Sequence, residues 1–364
     1  MSLIEFFKFG LSGWSWWGLT AFLFLVTHIT IVGVTVFLHR CQSHKALKLN
    51  PVVSHFFRLW LWLTTGMVTR EWVAIHRKHH AKCETKNDPH SPKIKGITEV
   101  LWRGTELYRV SSKDPELIQK YGHGTPNDWL EKNLYSRFSW QGVAVMLIID
   151  FMLFGVIGIG IWAIQMMWIP FFAAGVINGI GHYIGYRSFK TPDESRNIFP
   201  LGILIGGEEL HNNHHSYATS PRLSSKWYEF DIGWLYIRIL MFFGLAETRS
   251  LPKGARLNPE KSSIDEDTVA AFLASKYELL QKLHRLSVHA TVEQIKTSNP
   301  SNVIAEKLKN DFEKIWSEKI SSVEQAVQAL QLWCTEAEKS GIDAIQDFAR
   351  KLRMLTLGES RVSF

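Results

Sequence analysis

The sequence predicts an all-α, polytopic membrane protein, with about three spans, an interfacial helix and a cytoplasmic helical cap carrying a histidine-rich di-metal site. Three observations predict it. Apolar stretches of membrane length recur along the chain. Lysine and arginine crowd the loops that join them. Three short histidine blocks, His39-Arg-Cys-Gln-Ser-His44, His76-Arg-Lys-His79-His80 and His211-Asn-Asn-His214-His215, sit beside those stretches. Imidazole is costly there unless it binds something.

The first stretch opens the chain. Between Lys8 and His39 there is no acid, lysine or arginine, and Trp14 to Leu38 is unbroken. At roughly 20 residues per crossing this is one span. It is longer than a signal-peptide core and lacks a small-residue cleavage site behind a basic start, so it reads as a retained helix. Val52 to Ile75 comes next. It is apolar, but His55, Arg58 and Arg70-Glu71 interrupt it. If it crossed the bilayer, the first two histidine blocks would face opposite sides and could not share a site. The segment therefore reads as a helix lying in the cytoplasmic interface; the alternative is a fourth span with unrelated blocks.

Pro89 to Trp140 follows as a cap of short helices and loops, with turn signals at Asp88-Pro89, Ser91-Pro92 and Gly122 to Pro126. Gln141 to Tyr186 then carries a single formal charge, Asp150, and is long enough for two spans. Trp162, Trp168 and Pro170 mark the expected turn between them, as interfacial aromatics do. Residues 1–250 thus form a membrane domain with its cap. From about Leu251 the composition shifts, and 251–364 reads as a cytoplasmic amphipathic helical tail. There Leu273, Tyr277, Leu280 and Leu283 keep helical spacing on one face. Ser322-Val-Glu-Gln325 is a capping-box start and Gly341 a helix stop, while Asn299-Pro300 separates two helices.

Net charge is +7. Lysine and arginine concentrate from Arg70 to Arg137 and after Arg187, whereas the turn between the second and third spans has none. The positive-inside rule places the histidine loops in the cytoplasm. Lipid headgroups or an acidic protein carrier account for this charge better than nucleic acid, for which no partner role is expected. The three cysteines, Cys41, Cys83 and Cys334, form no CxxC pair, which speaks against a disulfide framework or a built-in iron–sulfur site.

The histidines carry the chemistry. Positions i, i+3 and i+4 share one helix face, so His76, His79 and His80 point one way, as do His211, His214 and His215. Asn178 and His182 are also i and i+4, at the end of the last apolar run. His39 and His44 are five apart and converge only if the helix frays or turns there. Nine imidazoles and one carboxamide are too many for one ion and suit two. Ligand type alone leaves iron, copper and zinc open. Asp88, Glu71, Glu208, Glu209 and Asp231 are candidates to orient the rings from behind. His28 reads as a buried, hydrogen-bonded residue, and His90 as one that orders its loop.

HX4H, HX2HH and HX2HH in this order around a membrane core resemble the membrane-bound fatty acid desaturases, the acyl-CoA or delta-9 type above all. Trp72 before His76, Asp88-Pro89-His90, Gly207-Glu208 before His211, and Asn178 to His182 agree with that pattern over roughly Phe37 to Trp234. The resemblance implies two iron ions held by His39, His44, His76, His79, His80, His182, His211, His214 and His215, with Asn178 contacting one through water. It implies dioxygen as co-substrate and a cis double bond, most consistent with delta-9, in an acyl chain carried on CoA or phospholipid. No His-Pro-Gly-Gly heme motif occurs, so a separate donor of ferredoxin, rubredoxin or cytochrome b5 type is expected. A single span before the first block resembles the bacterial branch, hence a multi-pass protein of a bacterial inner membrane with its site on the cytoplasmic side. The alternatives are a di-iron hydroxylase of a lipid or hydrocarbon, whose glutamate-rich boxes are absent here, and a metal transporter, which needs ligands at mid-span.

Overall fold

The computed structural model describes residues 2–249, 253–295, 301–317 and 322–360. Two units are distinct: Met1–Arg187 with Pro192–Ser250, and Leu251–Phe364 with Ser188–Thr191.

In the first unit, α1 (Leu3–Phe9) starts at a Ser2/Glu5 capping box. The long apolar helix α2 (Trp16–Ser43) starts at Ser15, whose hydroxyl accepts the Gly18 N–H. From Gly33 its bonding widens to an i→i+5 pattern, and every residue from Gly33 to Ser43 is buried. The wider turn still closes at its end, where the His44 N–H donates to the His39 carbonyl at 3.1 Å.

The segment expected as one interfacial helix is two. Asn50 caps α3 (Pro51–Thr65), with Pro51 pre-set for the first turn. Gly66 then takes a left-handed φ of +65°, and α4 (Thr69–Lys82) starts in a new direction. Fifteen residues span about 22 Å, short of the ~30 Å hydrocarbon core. His44 and His76 meet at 2.8 Å, so the chain between them returns to the end it left. Arg58, buried in α3, is held by Asp128 at 2.6 Å and Glu131 at 3.0 Å. The cap expected over Pro89–Trp140 contains α5 (Ile97–Ser112) and shorter helical pieces at Pro92–Lys95, Pro115–Tyr121 and Glu131–Tyr135.

The two apolar helices α6 (Ser139–Phe154) and α7 (Val156–Ile180) are joined at Gly155, not near Trp162 to Pro170. Gly155 has φ +63° and lies so close to α1 that a Cβ would fall 2.4 Å from the Phe7 carbonyl oxygen. Trp162 instead donates its indole N–H to the Val143 carbonyl. Pro170, which lacks an N–H, begins a second i→i+5 stretch to Ile180, so the helix widens there and continues. Along this stretch α5 packs backbone to backbone: a Cβ on Gly104 would sit 2.4 Å from the Ala174 oxygen.

Two described helices, α2 and α7, are long and apolar enough to cross a membrane; α6 and α9 (Ile232–Phe242) are apolar but shorter, with α8 (His211–Ser216) between α7 and α9. The core at the end of α2 gathers Phe37, Leu38, Phe57, Leu61, Ile169 and Ile237. His28 is half-buried and meets the Tyr236 hydroxyl at 2.7 Å, as a hydrogen-bonded histidine should.

The fold is mostly helical but not wholly so. Strands β1 (Leu47–Leu49), β2 (Leu201–Gly202), β3 (Phe230–Asp231) and β4 (Ala246–Thr248) pair β1 with β4 antiparallel and β2 with β3 parallel. These pairs satisfy the backbone where loops would otherwise bury unpaired groups beside the histidines.

The second unit adds α10 (Glu266–Ala274), α11 (Lys276–Ile295), α12 (Ser301–Ser317), α13 (Val323–Glu338) and α14 (Asp343–Arg353). It also holds an antiparallel pair, β5 (Lys253–Leu257) with β6 (Leu355–Ser360), that the helical reading of this region missed. Ser322 caps α13 by accepting the Gln325 N–H, and Gly341 lies past its end at φ +71°. Asn299-Pro300 lies outside the described residues. Leu283 is buried and Leu280 packs on the core, but Leu273 is 57% exposed. The chain breaks helix at Ser275, whose hydroxyl accepts the Ala255 N–H, and the break rotates Leu273 off the shared face. Phe272, Phe312, Trp333 and Phe348 form the centre of the core, with Phe312 and Trp333 centroids 4.6 Å apart.

Candidate metal centre

Four segments deliver the histidines. The end of α2 supplies His39 and His44, α4 supplies His76, His79 and His80, α8 supplies His211, His214 and His215, and the chain just past α7 supplies His182. The i→i+5 winding of α2 places residue 44 almost over residue 39, which resolves their five-residue spacing without fraying. The rings fall into two adjoining groups. In the first, ring nitrogens of His39, His44, His76, His80 and His214 lie within 4.8 Å of one another. Nε2 of His214 is 3.1 Å from Nε2 of His39 and 2.8 Å from that of His80. In the second, His79, His182 and His215 converge equally closely together with Cys83. His211 joins them through its Nε2, 3.0 Å from Nε2 of His182.

Ring protons can bridge some of these nitrogen pairs, but one Nε2 proton on His214 can reach His39 or His80 and not both. Nδ1–H of His39 donates to Glu208 at 2.7 Å, that of His79 to Asp88 at 3.0 Å, and that of His215 to Asp193 at 3.1 Å. Each bond assigns the ring proton to Nδ1 and leaves an Nε2 lone pair facing inward. Nδ1 of His211 and of His214 is buried without a partner. Burial, then the charge the neighbouring rings would carry, holds His44, His76, His80, His211 and His214 well below the usual imidazole range, and His182 is pushed down to about 4. Neutral rings with converging lone pairs repel one another unless a cation lies among them. Two nitrogens at right angles on an ion ~2.1 Å away sit about 3 Å apart, the separation found here. The donor set therefore fits two metal ions.

A cavity of about 650 Å³ opens against the first group. His39, His76 and His211 form part of its wall, as do Asn178, His90 and Glu208, and the remainder is largely apolar: Trp72, Ile75, Val143, Leu147, Met166 and Ile169. The model of the fatty acid desaturase family matches residues 14–246, a stretch that contains both histidine groups and the cavity wall. The chain belongs to the fatty acid desaturase family.

Several relatives of this desaturase are similar over most of that region. Delta-9 acyl-lipid desaturase 1 of Arabidopsis thaliana is 31% identical over 225 residues, covering 61% of this chain and 72% of the relative. The sn-1 stearoyl-lipid 9-desaturase of Synechocystis is 28% identical over 66% of this chain and 73% of its own. The icosanoyl-CoA 5-desaturase of Limnanthes douglasii is 30% identical over 62% and 63%. The desaturase is accordingly an oxidoreductase of acyl chains, and its two long apolar helices fit membrane association.

The carboxylates behind the rings of this desaturase differ in part from expectation. Asp88 and Glu208 take that place. Glu209 does not, because its oxygens accept the Ile205 and Gly207 N–H groups at 2.8 and 3.1 Å. Asp231 is occupied by Arg40, through two bonds of 2.9 and 3.0 Å. Glu71 lines the cavity, with no ion pair to a histidine among the described residues. Two carboxylates that sequence reasoning missed stand there instead. Asp193 holds His215, and Glu84 Oε1 lies 3.4 Å from His182 Nδ1, in ion-pair range though outside good hydrogen-bond geometry. Position Glu84, just past the second block, was the available signal; Asp193, 22 residues from its ring, offered none.

His90 does more than order its loop. Its backbone N–H bonds Asp88, and its ring stacks on His79 at 4.4 Å in the cavity wall. Glu208→Gln keeps the shape of the His39 support but removes its charge, so metal affinity is expected to fall by about 10–100-fold. Bound metal per chain across a chelator titration measures this, and an unchanged affinity would remove Glu208 from the site.

Proposed function

We propose that this protein introduces a cis double bond, at the delta-9 position, into a saturated acyl chain carried on a lipid or on CoA. The observation that carries the reading is the contact between a largely apolar cavity and two adjoining histidine groups, with His39, His76 and His211 in its wall. His39, His44, His76, His80 and His214 would hold one iron, and His79, His182, His211 and His215 the other. Asn178, in the cavity wall near His211, would reach one of them through water. Iron so held supplies the activation of dioxygen. The overall change is –CH2–CH2– plus O2, two electrons and two protons to cis –CH=CH– plus two waters.

The residues of the chain orient and protect. An unactivated methylene offers no handle for acid–base catalysis, so selectivity rests on which carbons lie beside the histidines. Trp72, stacked 5.0 Å from His76 at 9° between ring planes, and Ile75 form an apolar wall that positions the chain and excludes water. The delta-9 position and the lipid carrier are supported by the names of the Arabidopsis and Synechocystis relatives, and CoA by that of the Limnanthes one.

Three crossings belong to this reading: α2, α6 and α7, with α1 and the Gly155 turn on the far side from the histidines. So does a multi-pass position in a bacterial inner membrane with the site facing the cytoplasm, supplied by a separate ferredoxin, rubredoxin or cytochrome b5-type donor. Residues 1–250 are the membrane desaturase domain and 251–364 a separate tail; the family match, which ends at 246, supports that boundary.

The test is the fatty-acid profile of a host expressing the chain, with double bonds located by derivatisation. Oxygen-dependent accumulation of delta-9 monoenes is expected. Hydroxylated chains in their place would assign the protein to the hydroxylases.

A further inference from the structure

The cavity has a second polar zone, apart from the histidines. Thr105, Tyr108, Arg109 and Ser112, from the second half of α5, line it together with Glu71. α5 runs antiparallel to the end of α7: a Cβ on Gly179 would meet Ile97, one on Gly175 the Leu101 carbonyl, and one on Gly104 the Ala174 carbonyl. Each turn after Gly104 therefore leads away from Asn178. Four residues from Asn178 back to Ala174, and four from Gly104 on to Tyr108, place Tyr108 on the order of 10 Å from the level of Asn178. Arg109 lines the cavity yet is exposed, so this end opens to the surface.

The Tyr108 hydroxyl is the unusual group in this zone. Its oxygen is buried and has no hydrogen-bond partner. Burial, and then the nearby Glu71 carboxylate, pushes the phenol above its usual range, so the proton stays on and can donate. The ring packs beside Ala74, Ile75 and Leu117, which a phenylalanine could do as well. An orphan buried hydroxyl costs stability that phenylalanine would not. Such a group in the wall of a ligand cavity calls for an acceptor on the ligand. The methylenes of an acyl chain offer none; the ester or thioester carbonyl at its head does. Arg109 forms no ion pair among the described residues, and a guanidinium at an open rim suits the phosphate that phospholipid and CoA share.

We propose that the α5 end of the cavity receives the head of the substrate. The Tyr108 hydroxyl donates to the acyl carbonyl, and Arg109 binds the carrier phosphate. Together they set which carbons lie beside the histidines, since a delta-9 bond requires a fixed separation between the carbonyl and the reacting carbons. This rests on the reading of the cavity as an acyl site and names what its open end recognises.

The experiment measures equilibrium binding to the purified full chain in detergent. One pair of probes is stearoyl lysophosphatidylglycerol and its octadecyl ether analogue, which lacks only the carbonyl oxygen. The other is stearoyl-CoA and its octadecyl thioether. In the pair that matches the natural carrier, the wild-type protein should bind the carbonyl compound about two- to tenfold more tightly, and Tyr108→Phe should bind both members equally. Arg109→Gln should weaken both members alike, by about threefold. Equal affinities within both pairs for the wild-type protein, or an unchanged contrast in Tyr108→Phe, would overturn the proposal. Tyr108→Phe should also melt no lower than the wild type, because it deletes an orphan hydroxyl. A lower melting temperature would give that oxygen a structural partner and overturn the proposal too. Saturable binding of none of the four probes would overturn the acyl-site reading with it. Hydroxylated products in the expressing host would overturn the desaturase reading alone, because the ester–ether contrast reads binding.

Discussion

A His214→Ala protein is expected to make no measurable monoene and to carry at most one iron per chain, while still entering the membrane. His214 is the junction of the first group: its Nε2 meets His39 at 3.1 Å and His80 at 2.8 Å. Its ring is 1% exposed, so no water can replace the lost nitrogen without opening the core. Losing a partner behind a ligand typically costs about 10–100-fold in metal affinity or activity, and losing the ligand itself should cost more. Iron analysis and product yield measured on the same preparation decide the matter. Substantial activity in that variant would remove the shared metal site.

The second large effect concerns stability. Asp231→Ala should destabilise the membrane unit by about 3–5 kcal/mol, because it leaves a buried guanidinium uncompensated. Arg40 is 1% exposed, and its guanidinium bonds both Asp231 oxygens and the carbonyls of Pro221 and Gly206. Asp231 also accepts the Leu223 N–H at 2.7 Å and caps α9 through the Trp234 N–H at 2.9 Å. One residue from His39, this cluster fastens the end of α2 to the loops around the third histidine block. Thermal unfolding in detergent should show the loss, and Arg40→Met combined with Asp231→Ala should recover part of it. If the single variant unfolds like the wild type, water reaches Arg40 and the pair is not closed.

The histidine pattern made most of the site legible, because ligands delivered by helices carry their geometry in their spacing. His76, His79 and His80 lie on one face by helical period alone, and so do His211, His214 and His215. The five-residue gap of His39 and His44 was readable as a problem but not as its solution. An i→i+5 winding has no composition of its own, and here burial of all of Gly33–Ser43 maintains it. The turn between α6 and α7 was misplaced for a related reason. Tryptophans and a proline are strong signals on average, yet Trp162 found the Val143 carbonyl and Pro170 was absorbed by a widened helix. Gly155, one glycine among several in that stretch, became the turn because α1 packs against it.

What the sequence determined by itself was the histidine pattern beside apolar helices, and the family to which that pattern belongs. Tertiary structure decided what surrounds it. Which carboxylate stands behind which ring, why Asp231 serves Arg40 rather than a histidine, and why Cys83 faces the second group are all settled by contacts between distant segments. The physical reason is one of range. A helix repeats every 3.6 residues and writes its faces into the sequence, whereas a hydrogen bond between Asp193 and His215 depends on two loops meeting, and no local period records that.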